Sequence, residues 1–162
     1  MKFTRATTTL ILLALLSAVP VANAAEKIRS QMDAFLVSTN NGKETLKQAT
    51  TAEPGSILEY QLSYTNTTRE SLSALNVAVP VPVNTRYLGK TAATRVPNTF
   101  AVSLDGGKTF EAEPVKRLRK NNEGKMVEVI VPPSEYTHLR WAVKRPLKGG
   151  EKQQFSYRIQ VI

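Results

Sequence analysis

From Leu58 to Thr65 the chain reads Leu-Glu-Tyr-Gln-Leu-Ser-Tyr-Thr, with a large apolar or aromatic side chain at every even position and a polar one at every odd position. Successive side chains of a strand point to opposite faces, so this alternation specifies a half-buried strand with one wet face. The same period governs Phe155, Tyr157, Ile159 and Val161, which alternate with Gln154, Ser156, Arg158 and Gln160. Leu139, Trp141 and Val143 alternate with His138, Arg140, Ala142 and Lys144, and Leu75, Val77 and Val79 with Asn76 and Ala78, ending at Pro80. Turn residues separate these runs: Glu53-Pro54-Gly55-Ser56, Thr65 to Glu70, Asp105-Gly106-Gly107 between Ala101–Leu104 and Thr109–Ala112, and Lys148-Gly149-Gly150-Glu151. Nine prolines disfavour long helices. There is no βαβ alternation and no repeat at a propeller's period. The pattern predicts an all-β, antiparallel sandwich of seven or more strands. Its expected core holds Leu58, Tyr60, Leu62, Tyr64, Trp141, Phe155, Tyr157 and Ile159.

The first 24 residues read differently. Lys2 and Arg5 precede an apolar run, Leu10 to Leu16, and Ala22-Asn23-Ala24 offers small residues at a cleavage site. That is the layout of a secretory signal peptide. The run is short of the ~20 residues a membrane span needs, and no second one follows. The expectation is a leader over 1–24 and one β-sandwich domain over 25–162, exported to the periplasm or secreted. With no cysteine in the chain, neither disulfides nor an N-terminal lipidated cysteine are expected.

Charge is uneven. Lys and Arg total 22 against 13 Asp and Glu, and after Thr85 the balance is 15 basic to 7 acidic. The densest stretch is Lys116-Arg117-Leu118-Arg119-Lys120, with Lys125 nearby, read as a solvated loop. As a functional site it would take a polyanion: a phosphorylated headgroup, an acidic glycan or DNA. Arg140, Lys144, Arg145 and Lys148 would extend it.

Catalytic and metal signatures are sparse. The single histidine, His138, occupies a polar strand position and reads as solvated, with no nucleophile-elbow motif to partner it. One His and no Cys make a zinc site unexpected. Glycine motifs for nucleotides are absent. No catalytic residue, metal or cofactor is expected. Trp141, Tyr60 and Tyr64 fall on apolar stripes and read as core rather than as a stacking platform, while Tyr87 and Tyr136 are less constrained.

Ser103-Leu-Asp105-Gly-Gly107-Lys-Thr109-Phe110 resembles the Asp-box on the hairpins of sialidase-type β-propellers. Turn chemistry accounts for each residue. Glycine supplies positive φ, Asp105 binds nearby amides, Ser103 and Thr109 add hydroxyl bonds, and Phe110 covers the base. One such hairpin in a chain of this length cannot make a propeller, so a structural role is expected.

Pro54, Gly55, Leu58, Tyr60, Leu62, Tyr64, Asn66 and Thr67 together resemble the Pro-Gly-x-x-Leu-x-Tyr-x-Leu-x-Tyr-x-Asn-Thr stretch of the DUF11 family. Thr68 stands where that family usually has glycine, and Val79-Pro80 replaces its Asp-Pro. The resemblance, over Phe35 to Ile162, implies an immunoglobulin-like sandwich in a bacterial envelope or secreted protein with no assigned catalytic residues. The resulting expectation is a non-enzymatic exported protein with a structural or binding role. Its partner would be an anionic envelope component or another envelope protein. The alternatives are a polyanion-binding module using the basic stretch, and an enzyme with an unrecognised site.

Overall fold

The computed structural model describes residues 26–162. The expected leader lies outside the described residues. In chain order the strands are β1 (Ile28–Asn40), β2 (Lys43–Gln48), β3 (Ile57–Asn66), β4 (Leu72–Pro80), β5 (Thr85–Tyr87), β6 (Ala93–Thr94), β7 (Asn98–Ser103), β8 (Lys116–Lys120), β9 (Met126–Ile130), β10 (His138–Leu147) and β11 (Lys152–Val161). Among the described residues, one 3-10 turn covers Pro133–Glu135. The protein is all-β, and every strand pair is antiparallel.

A larger sheet runs β2-β1-β3-β11-β5, with β6 also on β11, and a smaller one runs β4-β10-β7. The alternating stripes come into register within each sheet. Leu58, Tyr60 and Leu62 stand beside Ile159, Tyr157 and Phe155, while Trp141 stands between Val77 and Phe100. The two stripes then meet in one core. The Trp141 ring lies 5.7 Å from that of Phe155 and 6.2 Å from that of Tyr157, centroid to centroid. Six of the eight expected core residues are buried; Tyr60 and Tyr64 are half-buried and pack against the cluster. The reason is the mismatch between a six-stranded sheet and a three-stranded one. The smaller sheet covers the inward side chains of β11 fully, those of β3 in part, and leaves Met32 of β1, level with Leu62, 50% exposed.

Asn66 ends β3 by tying three segments together. Fully buried, it donates from Nδ2 to the carbonyls of Glu70, Leu147 and Lys148, and it accepts from the Thr68 amide and hydroxyl. Gly149 must be small beside it, because a Cβ there would overlap the Arg69 carbonyl.

Two expectations change, and two strands appear where none was expected. Lys116–Lys120 is not a loop but strand β8, paired with β9 in a separate two-stranded hairpin. Thr109–Ala112 is not a strand; the chain returns along β7 through one bridge, Val102 to Glu111, before Pro114, which has no amide to extend a ladder. β1 and β2 carry too many polar residues to read as core strands, and β2 is wholly exposed at the sheet edge.

Candidate functional site

The β8–β9 hairpin leaves the body between two buried valines. Val115 and Val131 continue its ladder inward, the Val131 amide donating to the Val115 carbonyl at 2.8 Å. The Tyr136 hydroxyl sits between them, accepting from the Val115 amide at 3.4 Å and donating to the Val131 carbonyl at 3.3 Å. Burial pushes the Tyr136 phenol up, so it keeps the proton it donates. The Tyr136 ring stacks on Tyr87, 6.2 Å between centroids, so these two tyrosines belong to the core.

Asn121 makes the hairpin's tip. Its side-chain oxygen accepts from the amides of Glu123 and Lys125, and Gly124 turns the chain with φ +77°. The register then sorts the side chains. Arg117, Arg119, Val127 and Val129 share one face, while Lys116, Leu118, Lys120, Met126, Glu128 and Ile130 share the other. The first faces the body, where Arg117 pairs with Glu111 and Arg119 with Glu135 through two-pronged contacts. Each guanidinium holds its carboxylate below the usual range, and each carboxylate raises its arginine. The second face looks outward. Leu118 is 66% exposed, Met126 56% and Ile130 62%.

The five cations singled out from the sequence therefore do not form a free basic patch. Lys116 bonds Glu128 at 2.7 Å and Lys125 lies 3.3 Å from Glu123, so four of the five have a carboxylate partner. Lys120 makes no ion pair among the described residues. Arg140 does not extend the patch; its guanidinium lies over the Phe110 ring at 4.2 Å. Arg145 pairs with Glu151, which also accepts from the Lys148 amide. Lys144 and Lys148 are exposed.

The Asp105 turn lies close to the base of the hairpin, since Glu111 both closes it and receives Arg117. The Asp105 carboxylate accepts from the Ser103 hydroxyl, the Lys108 and Thr109 amides and the Thr109 hydroxyl. Those bonds, led by the Thr109 hydroxyl, hold it far below the usual carboxylate range. The Ser103 hydroxyl also accepts from the Asp105 and Gly107 amides. Gly107, at φ +85°, lies against the half-buried His138 ring, which a Cβ would approach to 3.2 Å. His138 is thus packed beneath the turn rather than solvated, and its Nδ1 meets the Thr137 hydroxyl. Within the turn, the side chains of Ser103, Asp105 and Thr109 are spent on the turn itself.

Among the described residues, no three His, Asp or Glu side chains gather closely enough to hold a metal ion. No described helix is long and apolar enough to cross a membrane. Comparison with protein-family models, curated proteins and solved structures finds no match for this chain.

Proposed function

We propose that the chain is an exported, non-enzymatic protein of the bacterial envelope, an immunoglobulin-like sandwich similar to DUF11 units, which works by binding an anionic lipid surface through the β8–β9 hairpin. The observation that carries the reading is the hairpin's outward face. Leu118, Met126 and Ile130 stand exposed there beside Lys120 and beside Lys116, which bonds Glu128 on the same face through an exposed pair that an anionic surface would compete for. Aliphatic side chains flanked by lysines suit the boundary between headgroups and acyl chains. The apolar groups enter, and the lysine stems reach back to the phosphates. A nucleic acid would want aromatic or guanidinium platforms for its bases, but this face has no aromatic residue and both hairpin arginines are engaged with the body.

Co-sedimentation with phosphatidylglycerol and phosphatidylcholine vesicles tests the reading, with DNA and a heparin-like glycan as competing ligands. Binding to the anionic vesicles alone is expected, weakened by salt but not abolished, because apolar burial is insensitive to screening. Replacing Leu118, Met126 and Ile130 by Ser should reduce it at least about tenfold, since each such side chain contributes on the order of 1.5–3 kcal/mol when fully buried. The three are exposed, so the melting curve should hold. Binding to DNA or glycan that is lost entirely at moderate salt would instead favour the polyanion reading. Failure to bind any vesicle would reject the lipid surface.

A further inference from the structure

A cavity of about 670 Å³ opens where β11 runs out beyond its short partner β6. β6 meets β11 only at Phe155 and Ser156, and β5 meets it only from Ile159 to Val161, so no described strand lies against Lys152, Gln153 and Gln154 on that side. The chain leaving β6 forms part of the cavity wall as it crosses to the smaller sheet. The Thr94 hydroxyl pins it, donating to the Gln154 carbonyl at 2.7 Å and accepting from the Val96 amide at 3.2 Å. The Pro97 carbonyl then accepts from the Lys144 amide of β10. Arg145 of β10 joins the wall, fixed by Glu151 through two bonds of 2.9 and 2.6 Å. The volume falls within the ~300–1,000 Å³ of clefts that hold small ligands.

Gln153, in the wall, disagrees with its place in the fold. It takes the first inward position of β11, in line with Phe155, Tyr157 and Ile159, and is only 1% exposed. Its Nε2 donates to Glu151 at 3.3 Å, but its Oε1 has no hydrogen-bond partner among the described residues. A buried acceptor left unmade costs stability, and an apolar side chain would fill the position without that cost. The charge of the wall is unbalanced as well. Arg95, Arg145 and Lys152 stand there with one carboxylate, Glu151, which Arg145 already holds. Arg95 and Lys152 are exposed and form no ion pair among the described residues. Gln61, Gln154 and Ser156 add amide and hydroxyl groups. Two unpaired cations suit an anionic group, and amide oxygens beside them suit hydroxyl donors.

We infer that this cavity binds an anionic sugar, with its carboxylate or phosphate on Arg95 and Lys152 and a ring hydroxyl donating to Gln153. None of the residues that line it belongs to the β8–β9 hairpin, so the inference stands apart from lipid binding. Amide NMR titration of the chain, expressed from its full coding sequence and processed by the host, tests it with glucuronate and with glucose 6-phosphate. One of the two should shift the amides of Arg95, Val96 and Lys152 to Ser156 with Kd of about 10⁻³ M, the range for a single small ring, and which one does so identifies the anionic group. Glucose, acetate and inorganic phosphate should each bind at least about tenfold more weakly, because each lacks half of the recognised chemistry. Replacing Arg95 and Lys152 together by Gln should weaken the sugar at least about tenfold while the melting curve holds, since both side chains are exposed. Gln153→Met keeps the volume, removes the unmade acceptor and should weaken binding at least about fivefold. Should that variant fail to fold, the Arg95 and Lys152 replacements decide alone. Leu118→Ser, in the hairpin, should leave the titration unchanged. Absence of shifts with both sugars at about ten times that concentration overturns the inference. So does acetate or inorganic phosphate binding as tightly as the sugar, or an affinity that survives loss of both cations.

Discussion

Asn66→Ala tests whether one buried amide holds the β3 exit to the β10–β11 turn. The Asn66 side chain makes five hydrogen bonds at 2.7 to 3.1 Å and is 0% exposed. Alanine would strand the Leu147 carbonyl, which is buried with Asn66, and the Thr68 amide, while the carbonyls of Glu70 and Lys148 lie nearer water. Each stranded buried group costs about 1–3 kcal/mol, so the buried Leu147 carbonyl with the half-buried Thr68 amide predicts a loss of about 2–4 kcal/mol. An ordinary exposed turn asparagine would cost within about 0.5 kcal/mol. Urea unfolding followed by the fluorescence of Trp141, the only tryptophan, gives the difference. An unchanged m-value with a lowered midpoint assigns it to stability. Asn66→Asp adds a sign test. It keeps the acceptor for Thr68 but turns a carboxylate toward three carbonyls, which raises the carboxyl's folded pKa above its unfolded one. Its folded state then binds the proton more tightly, so the variant should lose stability as pH rises through that folded pKa. A loss below about 1 kcal/mol for Asn66→Ala, with no such pH dependence for Asn66→Asp, would refute the reasoning.

Trp141→Ala should cost about 3–5 kcal/mol by circular dichroism melts, because its ring is buried against Phe100, Phe155 and Tyr157; a loss under about 1 kcal/mol would put the core elsewhere. Asp105→Ala should lower the melting temperature and remove hydrogen-exchange protection from the Lys108 and Thr109 amides while leaving vesicle binding intact; binding lost at an unchanged melt would make the turn a ligand site. Glu151, held down to about 2 by the Arg145 guanidinium and then the Lys148 amide, stabilises the fold above its unfolded value of 4.5. That contribution is lost as pH falls from there through about 2, so Glu151→Gln should flatten the acid limb of the stability profile, and an unaltered limb would remove the pair from the account.

The strands legible in the sequence were those with one dry face. β3, β4, β10 and β11 alternate because their inward residues share the core, and period 2 is then the only solution. β1 and β2 lie at the margin of the core, where Leu36 still packs against it but nothing forces Ser30 or Lys47 to be apolar, and the alternation fades. β8 hid for the opposite reason. Its charges occupy both faces, and the sorting of Arg117 and Arg119 from Lys116 and Lys120 depends on Glu111 and Glu135, which come from other parts of the chain. A count of cations cannot reveal which carboxylates the fold brings to them. The Asp105 turn was legible almost residue by residue, because its bonds close within seven positions. The packing of His138 under Gly107 was not, since it is a tertiary contact between residues 31 apart.

The hairpin's outward face gathers three apolar side chains that the fold does not require. An isolated two-stranded hairpin is marginal in water, and β8–β9 gains its order from the Tyr136 clamp and the two arginine pairs on its inward face. Leu118, Met126 and Ile130 add nothing to that core, and polar residues would serve the strand as well and the solubility better. Three apolar side chains gathered on one exposed face, rather than scattered singly, are what the proposed lipid contact rests on. The same argument separates it from the paired cations around it. Arg117 and Arg119 are accounted for by the carboxylates they hold, whereas Leu118, Met126 and Ile130 stay in water on one face, and the proposed lipid contact would remove them from it.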